Sequence, residues 1–478
     1  MQRRGCGFDS HPLHSNLAVL SPSEVDDLQS RSFRIHSLDI HLEAGSTRFP
    51  SYRGPGSIRQ NEQGTLRFEL FDQTQEADPT RQPGTGAPGG LIPEGDYYRL
   101  TAVDLSGRRW TADDVLPQHG GRLGEPGVVC FGTIQEMQCP EQENLPPGLR
   151  LFIPGSFEIP ANHLTKLTRT RSALAGSAPA VEVGWSSVID TWILDLARLK
   201  IIIEVSKSGL LVTALPQGEL AAGLDSRLEE TLWFVLAHPG KWLFKMERRG
   251  GLGTTAVRSL RGTDIKPRLG PPVDWDYIPV EMVTMLFQQY LAYLEPYHEP
   301  RYHPTSLNVV QVLRASAQSI EAEALALGVG IESLLNRDYP ECGRPSIADR
   351  DEIERLEQLI ADATLTDQIK KRALGAISRL KSTSAGTCLR QMLGHGGHVT
   401  TDLIEAWTKI RNATAHGEDI AEPFEEIVSL CDKAYVLFNV LIFNRIGFIG
   451  EYKNRALPRW PEVKFSKFWP PPPAPPDA

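Results

Sequence analysis

The chain has 478 residues, a formal net charge of −9 and a pI near 5.8, with 41% hydrophobic and 23% charged residues. This length allows two or three domains with separate cores, and the composition is ordinary for a globular protein. The acidic balance argues against a protein whose whole surface coats nucleic acid, although it permits a local basic site. The longest apolar run near the C-terminus, 436–443, is too short to span a membrane.

The six cysteines are scattered along the chain and contain no CxxC pair. This usage is typical of a protein from a reducing compartment, so we predict free thiols and a cytoplasmic location. Residues 1–30 are predicted to be a disordered leader.

From Arg31 onward, short stretches alternate apolar and polar residues between Gly/Pro-rich turns. The alternation changes phase between Ile35 and Leu38, which predicts a β-bulge or a turn between them. Two hairpins are predicted, one across 97–111 and one across 200–215. Repeated short strands of this kind indicate an antiparallel sandwich or barrel, which we assign to residues 31–247.

Residues 248–275 are rich in Gly, Arg and Thr and are predicted to be a linker. Apolar residues then recur at helical spacing through 276–452, and one of these helices is predicted to run from Thr305 to about Asn336. The fold class is therefore α+β and multidomain, with an N-terminal antiparallel β-rich domain and a C-terminal all-α up-and-down helical bundle. Residues 453–478 are predicted to be a basic, aromatic and Pro-rich tail.

Near the end of one predicted helix, Arg411, Asn412 and His416 stand within six positions, before Gly417. Asn412 and His416 share a helix face, and the long side chain of Arg411 can reach the same place. Gly417 suits the residue that ends a helix, which leaves His416 in the last turn, where the helix dipole favours its protonated form. The alternative is structural: a histidine near a helix C-terminus and an arginine on a solvated face.

The segment 410–417 resembles the RNxxxH signature of HEPN domains, in particular their Apea-like branch. The helix that contains Glu332 resembles the glutamate-bearing helix of that branch, and 447–452 resembles its usual ending. The resemblance extends over roughly 305–452 and is much weaker for the β-rich region, which is similar to the sensor domains that precede such HEPN domains.

The resemblance implies an endoribonuclease that needs neither metal nor cofactor, often an anti-phage or toxin-like effector in bacteria. His416 would act as general acid or base and Arg411 would stabilise charge on the phosphorane, while Asn412 would orient the phosphate or the imidazole. Because one imidazole does not easily fill both proton-transfer roles, we expect a homodimer through the helical domain. Glu332 is a supporting candidate.

Basic residues beside the motif and in the tail are candidates for RNA binding, namely Lys409, Lys453 and Arg455. The segment 445–469 has a net charge of +4 and interleaved aromatic residues, a mixture that can stack bases or pack over the bundle, and we favour packing. A zinc site could be formed by Cys388, His395, His398 and Asp402. Their spacing, however, is not that of known zinc sites and favours a glycine-rich turn.

Three hypotheses follow. The first is a β-rich sensor that controls a dimeric HEPN ribonuclease in response to an unknown ligand or phage protein. The second is a non-catalytic HEPN module that binds a nucleotide or mediates assembly. The third is a ligand- or protein-binding β-rich adaptor whose helices serve only for dimerisation. The joint presence of Arg411, Asn412 and His416 at one helix end favours the first.

Overall fold

A computed structural model describes the chain in fourteen ranges: 22–46, 49–73, 96–120, 128–141, 146–166, 187–206, 208–260, 265–299, 301–340, 342, 347–381, 384–393, 395–416 and 422–469. The predicted leader therefore lies outside the described residues except for its last part, where α1 forms at Pro22–Gln29.

The strands alternate inward and outward side chains, as the sequence predicts. They are β1 Arg34–Ala44, β2 Tyr52–Gln60, β3 Leu66–Asp72, β4 Tyr98–Asp104, β5 Arg109–Gly120, β6 Val128–Ile134, β7 Glu136–Glu141, β8 Gly148–Pro154, β9 His163–Lys166, β10 Ser187–Asp195, β11 Leu199–Ser206, β12 Gly209–Pro216, β13 Phe244–Arg249, β14 Leu252–Arg258, β15 Gly450–Lys453 and β16 Glu462–Phe465.

The helices after α1 mostly follow the β-rich region. They are α2 Leu224–Val235, α3 Val280–Leu294, α4 Pro304–Ser316, α5 Ile320–Asp338, α6 Ile347–Asp362, α7 Asp367–Lys381, α8 Ala385–Met392, α9 Thr401–His416 and α10 Phe424–Ile446. The predicted order of a β-rich region followed by several helices is confirmed.

Six strands of the first compact unit close into a barrel. Neighbouring strands follow the order β4, β1, β2, β3, β6 and β5, and β5 pairs back with β4. Of the predicted bulge or turn, the structure has the bulge, because the β1–β2 register shifts between Ser37 and Ile40. Apolar side chains fill the interior, among them Phe33 and Trp110, whose rings meet edge to face with centroids 6.4 Å apart. Closure pairs strand edges that would otherwise be exposed.

The sheet of this unit continues from β5 through β7, β14, β13, β8, β12 and β11. The predicted linker 248–275 is therefore wrong in its first part, since β13 ends at Arg249 and β14 occupies Leu252–Arg258. Its Gly and Thr content suggested a loop, but β14 pairs with β13 on one side and with β7 on the other. β14 is therefore a strand because it pairs on both edges, and this pairing depends on residues distant in the sequence.

The second compact unit comprises 158–192, 222–239 and 265–478. It therefore contains α2 and most of the β9–β10 pair, which the sequence placed with the β-rich region. The indole N–H of Trp192 donates to the Thr284 hydroxyl at 3.1 Å, and its ring meets Phe287 edge to face. Phe234 of α2 stacks on Tyr290 with ring centroids 4.6 Å apart, so both segments are packed against α3.

The single helix predicted from Thr305 to Asn336 is two helices. α4 ends at Ser316, and the Ser319 hydroxyl accepts the Ala322 N–H at 3.1 Å, which caps the start of α5. α4 is capped by His303, whose Nδ1 accepts the Thr305 N–H at 3.1 Å. Apolar spacing continues through the break, so periodicity did not reveal it, whereas the cap residue Ser319 gives the signal.

Cys342 and Cys388 form a disulfide with their Cα atoms 4.9 Å apart, which corrects the prediction of free thiols at these two positions. They are 46 residues apart, so no short spacing in the sequence signals the pair. The bridge closes the base of a segment that contains α6 and α7. Cys130, Cys139 and Cys431 are buried and form no disulfide in the described structure.

The region after α10 begins a two-stranded hairpin, β15–β16, which packs on the end of that helix. Phe443, Phe448 and Phe465 are fully buried, and their rings lie 4.8–6.3 Å apart. Packing, which the sequence favoured for this segment, is confirmed for these side chains, whereas Trp460 is 46% exposed. Within the described part of the chain, none of the helices combines the length and the apolar character needed to cross a bilayer.

The neutral His303 cap generates a prediction about acid stability. Burial, followed by the charge of Arg337, lowers the pKa of His303 to about 4. The unfolded chain takes up a proton near the ordinary value of 6.5, so the cap's contribution is complete above that pH and is lost as the pH falls towards 4. His303→Asn keeps a cap acceptor but does not titrate. Between pH 7 and 4, we expect its free energy of unfolding to fall less than that of wild type, with a difference of up to about 3 kcal/mol.

Urea unfolding of both proteins across this pH range measures the difference. All other titrating groups are shared by the two proteins and cancel in the comparison. Parallel curves for His303→Asn and wild type would contradict the neutral-cap assignment.

Candidate functional site

The helix α9 presents the predicted motif at its C-terminal end. Leu403, Trp407 and Ile410 are buried at helical spacing and fix α9 against the bundle. Arg411 follows Ile410 and lies at the edge of that buried face, and Asn412 is exposed. Within the described residues, α9 runs from Thr401 to His416.

The backbone of α9 places Asn412 and His416 on one face, four residues apart, a spacing that puts their Cβ atoms about 6 Å from each other. The side chain of His416 and residues 417–421, including the predicted helix-ending Gly417, lie outside the described residues.

A close crossing of α5 and α9 determines what Arg411 meets. A Cβ added at Gly328 would stand 3.4 Å from Cα of Arg411, closer than most such contacts, so the two backbones approach because this position has no side chain. The indole N–H of Trp407 donates to the Gly328 carbonyl oxygen at 3.2 Å and fixes the crossing. Glu332 lies one turn after Gly328 on the same face of α5, which brings its carboxylate to Arg411.

Arg411 and Glu332 form an ion pair that is loose and partly open to solvent. Nε of Arg411 lies 3.3 Å from Oε2 of Glu332, and Nη2 lies 3.5 Å from Oε1. The two side chains are 41% and 37% exposed. Nη1 of Arg411 also reaches Oδ1 of Asn412 at 3.5 Å. A half-exposed pair of this length is worth about 0–1 kcal/mol, so it adds little to the stability of the bundle.

Lys409 has a different set of partners from Arg411. Its Nζ lies 3.3 Å from a carboxylate oxygen of Glu422 and 3.6 Å from one of Glu426, at the start of α10. The hydrogen bond with Glu422, together with its charge, raises the pKa of this exposed lysine. Lys409 therefore joins α9 to α10. The sequence analysis did not identify these two glutamates, although the acidic first turn of α10 is visible in the sequence.

The structure does not bring Lys453 to Arg411. Lys453 lies 3.2 Å from a carboxylate oxygen of Asp274 and over the ring of Tyr277. Its neighbour Tyr452 packs on Phe443, about 25 Å along α10 from the Glu426 end that contacts Lys409. Lys453 is mostly buried in these contacts.

Arg455 is also committed to other contacts. Its guanidinium group lies against Gly270, where a Cβ would approach Nη2 closely, and 5.2 Å from the ring centroid of Trp460. Two of the three predicted RNA-binding residues thus contact other parts of the helical unit.

Three of the four candidate zinc ligands, Cys388, His395 and His398, make other contacts. Cys388 is in the disulfide, and Nε2 of His398 accepts the Ser466 N–H at 3.2 Å. The ring of His395 meets Trp469 edge to face. Among the described residues, no group of three or more His, Cys, Asp or Glu side chains is arranged to hold a metal ion.

No protein-family model, curated protein or solved structure matches this chain. The interpretation of the site therefore rests on its motif and on the geometry described above.

The close crossing at Gly328 generates a stability prediction. We expect Gly328→Val to lower the unfolding free energy by about 1–3 kcal/mol, because its methyl groups would push α5 away from Arg411. Gly375 of α7 is the matched control, since an added Cβ there meets nothing within 4 Å. Gly375→Val should change stability by less than about 0.5 kcal/mol.

Denaturant unfolding of the two variants beside wild type checks this expectation. A loss for Gly328→Val no larger than for Gly375→Val would show that the crossing is not tight.

Proposed function

We propose that this protein is an endoribonuclease of the HEPN type, which cleaves RNA by attack of the ribose 2′-hydroxyl and is controlled through its β-rich region as a defence or toxin-like effector. The single observation that carries the proposal is the arrangement at the end of α9. There a partly exposed guanidinium group, paired with Glu332, stands beside an exposed amide and one turn before a histidine.

The chemistry assigns one role to each group. A base removes the 2′-hydroxyl proton as the 2′-oxygen attacks phosphorus, and an acid protonates the departing 5′-oxygen, so the products are a 2′,3′-cyclic phosphate and a 5′-hydroxyl. His416 supplies one proton transfer, and Arg411 exchanges Glu332 for the phosphate and stabilises its developing charge. Asn412 orients the phosphate through its amide.

A second candidate function has specific support in the same ion pair. If Glu332 and Arg411 serve only to join α5 and α9, the bundle is a non-catalytic module that binds a nucleotide or mediates assembly. The Arg411–Glu332 ion pair is compatible with both functions, so a measurement of RNA cleavage is needed to distinguish the nuclease from the non-catalytic module.

Cleavage of a labelled RNA in EDTA by wild type, Arg411→Ala and His416→Ala tests the nuclease. We expect His416→Ala to reduce the rate constant by about 10²–10⁴-fold and Arg411→Ala by about 10²–10³-fold, because each removes a group that acts on the transition state. Arg459→Ala, at a largely exposed position of the tail, should cleave as wild type does.

Circular dichroism of each variant verifies that it folds. Folded Arg411→Ala and His416→Ala proteins that cleave at the wild-type rate would contradict the assignment and leave the non-catalytic module.

A homodimer would supply a second histidine for the other proton transfer, and we propose that α6 and α7 carry this association. Leu356, Leu359, Leu365 and Ile369 are 42–67% exposed around the turn that joins these helices. Single exposed apolar residues are ordinary, but four within fourteen positions form an apolar surface of the kind that binds a partner protein.

Charge supports a second copy of the chain as that partner. The helix α6 contains six acidic and two basic residues, whereas α7 contains five basic and one acidic residue. A two-fold axis would set the acidic helix of one copy beside the basic helix of the other while burying both apolar patches.

Light scattering after size-exclusion chromatography tests this contact. We expect wild type to be dimeric and Leu359→Glu to dissociate at least about tenfold more readily, since a charge would be buried in the contact. Leu105→Glu, at a position 71% exposed in the β4–β5 turn, should remain as dimeric as wild type. A monomeric wild type, or a Leu359→Glu protein as dimeric as the control, would refute the contact.

A further inference from the structure

Arg248 of β13 is a buried charge with no partner. The residue is only 4% exposed, and neither Nη1 nor Nη2 has a hydrogen-bond partner in the described structure. Proteins rarely leave a buried guanidinium group in this condition, because it loses its hydration and gains nothing in return. The usual solution is an opposite charge, so the absence of one among the described residues points to an external anion.

A second arginine faces the same space. The β13–β8 register pairs Met246 with Arg150 and Arg248 with Gly148, so the two arginines are diagonal neighbours on one face of the sheet. Nε of Arg150 is also buried without a hydrogen-bond partner. Burial lowers the pKa of Arg150, and the charge of Glu204 acts in the opposite direction. The carboxylate of Glu247 belongs to the opposite face and pairs there with Arg249.

The strands beside Arg248 place no side chain at its register partners. Its register partner on β8 is Gly148 and its partner on β14 is Gly253, so neither neighbour contributes a side chain. At Gly148 an added Cβ would meet only ordinary contacts, 3.5 Å from the Ala214 carbonyl oxygen and 3.8 Å from a Leu215 methyl group. Backbone crowding therefore does not demand a glycine at this position.

We propose that Arg150 and Arg248 form a binding site in the β-rich unit for the phosphate group of a small soluble ligand. Two guanidinium groups present donors that match several phosphate oxygens, and the dianion's charge compensates both cations. Arg150 is partly exposed, so this arginine of the pair can be reached from solvent. A role for this ligand as the trigger of RNA cleavage rests on the proposed function, whereas binding itself does not.

Thermal melting in graded inorganic phosphate, with ionic strength kept constant by sodium chloride, tests the site without any RNA. We expect the melting temperature of wild type to rise by several degrees and to saturate. Arg248→Met should melt higher than wild type without phosphate, because the unpaired charge is gone, and should not respond to phosphate. Arg67→Met, at an exposed position of β3, is the control and should respond as wild type does.

Adenosine monophosphate in place of phosphate separates the two sources of the group. A larger shift at equal concentration assigns a phosphorylated metabolite, and an equal or smaller shift assigns free phosphate. If Arg248→Met does not fold, Arg150→Met takes its place, and a phosphate response at most one-tenth as strong as that of wild type is expected. Equal phosphate responses in wild type, the site variant that folds and Arg67→Met would overturn the proposal.

Discussion

The close approach of α5 to α9 is the constraint on which the candidate site depends. Gly328 has no side chain, so the α9 backbone can lie against it. The Trp407 indole N–H also donates a hydrogen bond to the Gly328 carbonyl oxygen. This crossing sets which side chains of the two helices face each other. Glu332 therefore meets Arg411, and the exposed end of α9 gains a guanidinium group whose direction is set by a neighbouring helix.

Buried charges of the helical unit have partners among the described residues, whereas Arg248 of the β-rich unit does not. In the helical unit, Glu323 is fully buried but receives Arg268, and buried Arg227 donates to Glu230 at 2.6 Å. Burial raises the pKa of Glu230 to about 7 although Ser306, Arg227 and the backbone of His303 act against it. Such pairs fix geometry more than they add stability. Arg248 has no equivalent partner in the described structure, and this is the observation behind the proposed phosphate site.

Much of the fold could be predicted because local patterns agree with it. Alternation identified most barrel strands and the bulge in β1, and helical spacing identified α9 and α10. Failures came where distant partners decide: β14 is a strand because two other strands bind its edges. At the site, Arg411 and Asn412 were predicted together and are together, whereas Lys453 looked available by its charge and is engaged by Asp274.

The sequence by itself determined the order of β-rich and helical regions and the placement of Arg411, Asn412 and His416 at one helix end, because these follow from side-chain periodicity within short segments. Only the tertiary structure decided that Glu332 is the partner of Arg411, that Cys342 bonds to Cys388, and that Arg248 is buried unpaired. Each of these depends on how segments far apart in the chain meet, and a pattern of neighbouring residues carries no information about that meeting.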